Sequence, residues 1–183
     1  MRIVIGIICC LSSLLSGSSY AQDQAATADS ARDFVEQFYR WYVPVALSKH
    51  HGSSWDIALH GKKTSFSSEL AQALKSDSDA QAKVKDDIVG LDFDPFLNTQ
   101  DPCQRFELGK ITQVKTAYRV EVFNICSGKK SAIPDVAPEV MWANGHWEFV
   151  NFYYPNQMKD FPKTANLLAM LKMLEEQRQK DSH

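Results

Sequence analysis

Three aspartates crowd one short stretch of this chain. Asp92 and Asp94 alternate around Phe93, and Asp101 follows within the same segment. In an extended chain Asp92 and Asp94 point to one side while the Phe93 ring points to the core. Two convergent carboxylates can hold a hard cation or share a proton in acid–base work. Aspartates beside Pro95 can equally cap turns and helix starts, which is what short carboxylates do well. An EF-hand is excluded, because the loop has neither the glycine nor the terminal glutamate that calcium ligation requires. His146 and Glu148 alternate in the same way on a strand-like run, where an imidazole beside an acid could serve as a general base. His50, His51 and His60 match no zinc spacing and read as loop histidines. No GxSxG, Walker loop, HExxH or GxGxxG occurs, so the common serine-nucleophile, nucleotide and zinc-protease signatures are missing. The residues imply no catalytic set, no metal site and no cofactor.

The cysteines carry the next chemistry. Cys9 and Cys10 lie inside an apolar run, Ile3 to Leu15, that follows Arg2 and precedes Ser19-Tyr20-Ala21. Charge, apolar run and small residues in that order form an export signal cleaved before Gln22. The run is well short of the ~20 residues that span a bilayer. Neither cysteine sits where a lipoprotein needs it, at the end of the apolar region after a small residue. Residues 1–21 are therefore expected to leave, releasing a protein into the periplasm with no membrane insertion. Cys103 and Cys126 then remain, and two cysteines in an exported chain are expected to pair. They lack the CxxC spacing of a redox or metal-binding pair. An antiparallel hairpin between them would centre its turn between Val114 and Lys115. That register sets Ile111 opposite Tyr118 and Glu107 opposite Val122. The turn lacks Asn-Gly chemistry, so a longer loop or a bulge is expected.

These groups must be positioned by helices first and strands later. After a polar leader over 22–29, Ser30 is expected to cap a helix carrying Phe34, Phe38, Trp41, Tyr42 and Val45 at helical spacing, ending near Leu47 past Pro44. Residues 48–64 read as irregular. A second helix follows Ser67 or Ser68, with Leu70, Ala71 and Leu74 inward. Ser76-Asp77-Ser78-Asp79 reads as a break before a short helical stretch through Val84 and Ile88. Strands are expected over Phe106–Val114, Ala117–Ile125, Val140–Ala143 and His146–Tyr154, the last two joined by Asn144-Gly145. The final strand is apolar at both alternating sets of positions, which predicts a central strand covered on both sides. Thr164 is expected to cap a last helix with Leu167, Leu168, Met170, Leu171 and Leu174. The order predicts an α+β fold, with helices packed on a curved antiparallel sheet of four or more strands.

Aromatic and basic side chains supply the binding candidates. Tyr39, Trp55 and Tyr154 have polar tips that tolerate water and suit a half-exposed patch. The stretch from Ser127 to Pro138, with Lys129, Lys130 and Pro134, reads either as a stiff protruding loop suited to a protein partner or as a plain solvated connection or extended edge segment. The chain has 183 residues, 44% hydrophobic and 23% charged, enough for one packed domain and too apolar for wholesale disorder. Its net charge is −2, and loss of Arg2 makes the remainder more negative, which disfavours nucleic acid.

The aromatic helix Phe38-Tyr39-Arg40-Trp41-Tyr42, the stretch Leu91 to Asp101 (LDFDPFLNTQD) and the Trp142–Trp147 hairpin together resemble a bacterial exported family catalogued as domain of unknown function 3828. The resemblance covers roughly residues 30–155. It implies a nuclear-transport-factor-like, cystatin-like fold in the periplasm, and carries over no catalytic residue. The expected function is a non-catalytic periplasmic binding protein, in its sharpest form an immunity protein neutralising a cell-wall hydrolase. The alternative is a small-ligand binder or enzyme using the concave pocket of the sheet, with Asp92, Asp94, Asp101, His146 and Glu148 as its polar groups. The partner is a protein or a small molecule, and a homodimer is open.

Overall fold

A computed structural model describes residues 26–157 and 165–181. The expected signal over 1–21 and the expected Thr164 cap lie outside the described residues.

Helix α1 spans Ala28–Leu47 and passes through Pro44. Its N-cap is Thr27, not Ser30: the Thr27 hydroxyl accepts from the Ser30 N–H, and the Ser30 hydroxyl accepts from the Thr27 N–H. This reciprocal pair satisfies two otherwise orphaned donors and starts the helix inside the expected leader. Its buried stripe, Val35, Phe38, Tyr39, Tyr42 and Val43, faces the sheet.

Two helical expectations change. Helix α2, Ser54–Gly61, forms in the segment read as irregular. The glycines and histidines masked an N-cap at Ser53 and a buried Ala58. Helix α3, Ser68–Gln81, is capped by Ser67 and runs straight through the supposed polar break. It does so because Asp77 is inward: its carboxylate pairs with Arg178 at 2.7 Å and accepts the Leu91 N–H. The expected helical stretch through Val84 and Ile88 is absent.

The strands are β1 (Arg105–Val114), β2 (Ala117–Cys126), β3 (Lys129–Lys130), β4 (Ala137–Ala143) and β5 (His146–Tyr153). They form a curved, unclosed antiparallel sheet in the order β1-β2-β4-β5, with β3 paired to β2. The hairpin register differs from expectation. Val114 pairs Ala117 across a two-residue loop whose Lys115 takes a positive φ of 55°, so Ile111 faces Val120. A bulge between Leu108 and Ile111 then shifts the register, and Glu107 faces Phe123. At Gly109 the Phe123 ring lies so close that an added Cβ would sit 2.5 Å from it. Any side chain there would force the Phe123 ring and the Glu121 carboxylate to shift.

β5 is a terminal strand of the sheet order, not a central one. Its apparent two-faced pattern has a simple cause. Glu139 pairs Asn151 but Val140 pairs Phe149, so Val150 is an extra, bulged residue. The bulge re-phases the strand, and Trp147, Phe149, Phe152 and the following Tyr154 are all buried. Phe149 and Phe152 stack at 5.1 Å. The outer edge of β5 is met by a bridge from Phe66 to Phe149 and another from Asn166 to Tyr153.

Helix α4, Leu167–Asp181, is capped by the Asn166 side chain, which accepts from the Ala169 N–H, and buries Leu167 and Leu171. Among the described residues no helix is long and apolar enough to cross a membrane. The α+β architecture matches the expected nuclear-transport-factor-like class: helices on a curved open sheet with a C-terminal helix.

Candidate functional site

Asp92 and Asp94 do not act as a pair. A bend at Phe93 breaks the alternation, leaving Asp92 exposed, Phe93 half-buried against Tyr154 and Asp94 buried. Asp94 closes its own turn. Its Oδ1 accepts the N–H groups of Phe96 and Leu97 at 2.9 and 3.1 Å, and its Oδ2 accepts the Tyr42 hydroxyl at 2.6 Å. Burial raises its pKa to about 6, against the three hydrogen bonds and the nearby His50, which favour the carboxylate.

Tyr39 and Tyr154 belong to the same knot, and the expectation of a half-exposed patch fails for both. Each is fully buried. The Tyr39 hydroxyl donates to the Phe96 carbonyl at 2.7 Å, and that of Tyr154 donates to the Pro95 carbonyl at 3.1 Å. Burial, then the charge of Asp94, pushes all three tyrosine hydroxyls well above their usual range. The polar tips meet buried main chain instead of water. Asn124 donates to the Leu97 carbonyl, and Asn98, at φ 52°, ties the turn to Asp135 and Asn156. Asp101 stays on the surface in a small turn with Thr99. The aspartate-rich stretch is thus an anchor for the fold.

His146 and Glu148 do meet. Both lie on the sheet face opposite buried Trp147, just after a hairpin turn whose Asn144 and Gly145 take φ of 53° and 81°. Nε2 is 3.0 Å from Glu148 Oε1, and Nδ1 is 3.2 Å from the Asn144 carbonyl. Both neighbours are acceptors, so the imidazole N–H groups are directed to partners within the hairpin itself.

The sheet face beneath α1 is occupied by the protein itself. Phe38 packs on Tyr42, Phe66, Phe96 and Phe149 with ring centroids 4.7 to 5.8 Å apart, and Phe96 continues to Phe152 at 4.7 Å. These rings are at most 5% exposed. No described cavity unites the five polar candidates, and among the described residues no group of three or more His, Cys, Asp or Glu could hold a metal ion.

The basic stretch is not a free loop. A Ser127-Gly128 turn with φ of 50° and 78° folds Lys129 and Lys130 back as β3 against Cys126 and Ile125. Lys130 pairs with Glu107 at 2.6 Å and lies 4.1 Å over the Phe123 ring. Lys129 is exposed and Pro134 half-buried. Val136 bridges Val122, and Asp135 accepts the Asn124 N–H, so the segment is stitched to β2. Trp55 is half-buried, its indole N–H donating to Ser78 and thereby joining α2 to α3. Cys103 and Cys126 form the expected disulfide, with Cα atoms 5.0 Å apart.

Two openings lie at element boundaries that the sequence did not single out. A groove of about 730 Å³ runs between α1 and β1, lined by Arg32, Arg40, Leu47, Arg105 and Phe106 among others. Another of about 720 Å³ lies between α3, the segment through Val89 and α4. A readable signal for the first existed: Arg32, Glu36 and Arg40 repeat at helical spacing beside the apolar stripe, next to an exposed Leu47.

Comparison with known protein families, with curated proteins and with solved structures finds no match to this chain.

Proposed function

We propose that the protein is an exported, non-catalytic binding protein of the periplasm, in its sharpest form an immunity-type protein that neutralises a cell-wall hydrolase. The observation that carries this reading is the filled sheet face beneath α1. A small-molecule binder of this build would keep its curved sheet open, whereas here Phe38, Phe66, Phe96, Phe149 and Phe152 close it. Recognition then falls to the outside, to grooves and edges of a domain stapled by its disulfide. The stapled pair and the export-signal pattern both suit an oxidising compartment. The resemblance to the exported family belongs to the same reading.

The test is a titration of the purified chain, lacking residues 1–21, into exported amidases and muramidases acting on isolated peptidoglycan. Stoichiometric loss of activity for one hydrolase, with co-elution of the two proteins, is expected. Undiminished hydrolysis across the panel, with no complex formed, would reject the immunity reading.

A further inference from the structure

Strand β1 ends the sheet order and has no strand on its outer side among the described residues. Which of its main-chain groups face outward follows from β2. Val122 exchanges hydrogen bonds with Val136, and Asn124 donates to Asp135 and accepts from Ser131, so both direct their polar groups away from β1. Their β1 partners are Leu108 and Phe106. In an antiparallel ladder these are the non-hydrogen-bonded pairs, so the N–H and C=O of Phe106 and Leu108 point to the free edge. Arg32 confirms the direction: its Nη2 donates to the Leu108 carbonyl at 3.1 Å and its Nη1 to the Gly109 carbonyl at 2.7 Å. The N–H and C=O of Phe106 and the N–H of Leu108 are left for an incoming chain.

That edge forms one wall of the α1–β1 groove, and α1 forms the other. The groove's charges are unbalanced. Glu36 is paired with Arg40 and Glu107 with Lys130, whereas among the described residues Arg32 donates to carbonyls and Arg105 is exposed with no carboxylate partner. Its wall on α1 includes Val43 and Leu47, the latter 44% exposed. The Cys103–Cys126 bond pins the chain immediately before Gln104, so the edge is held in place before anything binds.

The geometry points to a strand-addition site: an extended segment of a partner protein, alternating apolar and acidic residues, pairs alongside Gln104–Leu108 in the α1–β1 groove. Main-chain bonds to Phe106 and Leu108 supply the affinity and the alternate pockets supply the selectivity. Apolar side chains of the segment turn toward Val43 and Leu47, and acidic ones meet Arg105 on the opposite face, with Arg32 at the end of the site. This inference rests on the protein-binding function proposed above and names the surface that carries it.

The experiment selects a displayed library of random peptides against the folded, disulfide-linked chain without residues 1–21. Enriched peptides are expected to alternate apolar and acidic residues. Their binding should fall about tenfold or more with Arg105→Glu, a substitution at an exposed position, and with N-methylation of alternate peptide amides. Amide signals of Phe106 and Leu108 should shift on binding. Failure to enrich any peptide, or enrichment of peptides indifferent to Arg105→Glu and to N-methylation, overturns the site. A hydrolase inhibited equally by wild type and Arg105→Glu would overturn the groove while leaving the protein-binding function standing.

Discussion

Asp94→Asn should flatten the dependence of stability on pH. The carboxyl of Asp94 is 7% exposed, and burial raises its pKa from 3.8 to about 6. A folded-state pKa above the unfolded value means that the folded protein holds the extra proton between those two pH values. Stability from this group is therefore full below about pH 4 and is lost as pH rises to 6. The shift of about two units corresponds to about 3 kcal/mol, a sizeable share of the stability of a domain this size. The asparagine side chain keeps an oxygen for the Phe96 and Leu97 N–H groups but cannot ionise. Urea unfolding of both proteins from pH 4 to 7.5 isolates the group, because every other titration cancels in the difference between the two curves. Wild type should lose up to about 3 kcal/mol relative to Asp94→Asn between pH 4 and 6 and then run parallel to it. A difference curve sloping the other way would refute the reasoning. It would mean that the Tyr42 hydroxyl, the two N–H groups and His50 outweigh burial and hold the carboxylate below its ordinary value.

Two further substitutions test the packing argument. Gly109→Ala places a Cβ 2.5 Å from the Phe123 ring and 2.8 Å from Glu121 Oε2, and should cost about 1–3 kcal/mol, read as a lower Tm; an unchanged Tm would show that the ring gives way freely. Arg178→Ala strips the ion pair from Asp77, which is 1% exposed and keeps the Leu91 N–H, and should cost about 3 kcal/mol in urea unfolding at neutral pH; a cost near zero would mean the pair contributes nothing to holding α4 on α3.

Much of the architecture was readable because its signals are local. Asn144-Gly145 marked the β4–β5 turn through the positive φ both residues adopt. The aromatic spacing of α1 marked its buried face, and two cysteines in a chain expected to be exported marked the disulfide. The failures are where tertiary contacts override local chemistry. Ser76 to Asp79 reads as a helix break until Asp77 finds Arg178, far away in sequence. The pattern of β5 reads as two-sided until the bulge at Val150 rotates its second half by one residue. A strict period of two is the premise of that reading, and one inserted residue removes it.

The site residues divide on the same principle. His146 and Glu148 were legible as neighbours because i and i+2 on a strand share a face, whatever surrounds them. Tyr39 and Tyr154 were misjudged because a hydroxyl can be satisfied by water or by a buried carbonyl, and composition does not distinguish the two. The edge at Phe106 and Leu108 lay beyond sequence reading altogether. Every residue but proline carries the same main-chain donor and acceptor, so no residue type announces which ones face outward. That is decided by what pairs with β2: because Val122 and Asn124 turn their polar groups toward Val136, Asp135 and Ser131, Phe106 and Leu108 must turn theirs to the open edge. The segment from Ser131 to Val136, which from sequence could be a partner loop or an extended edge segment, therefore sets the direction of the proposed binding edge on the far side of β2.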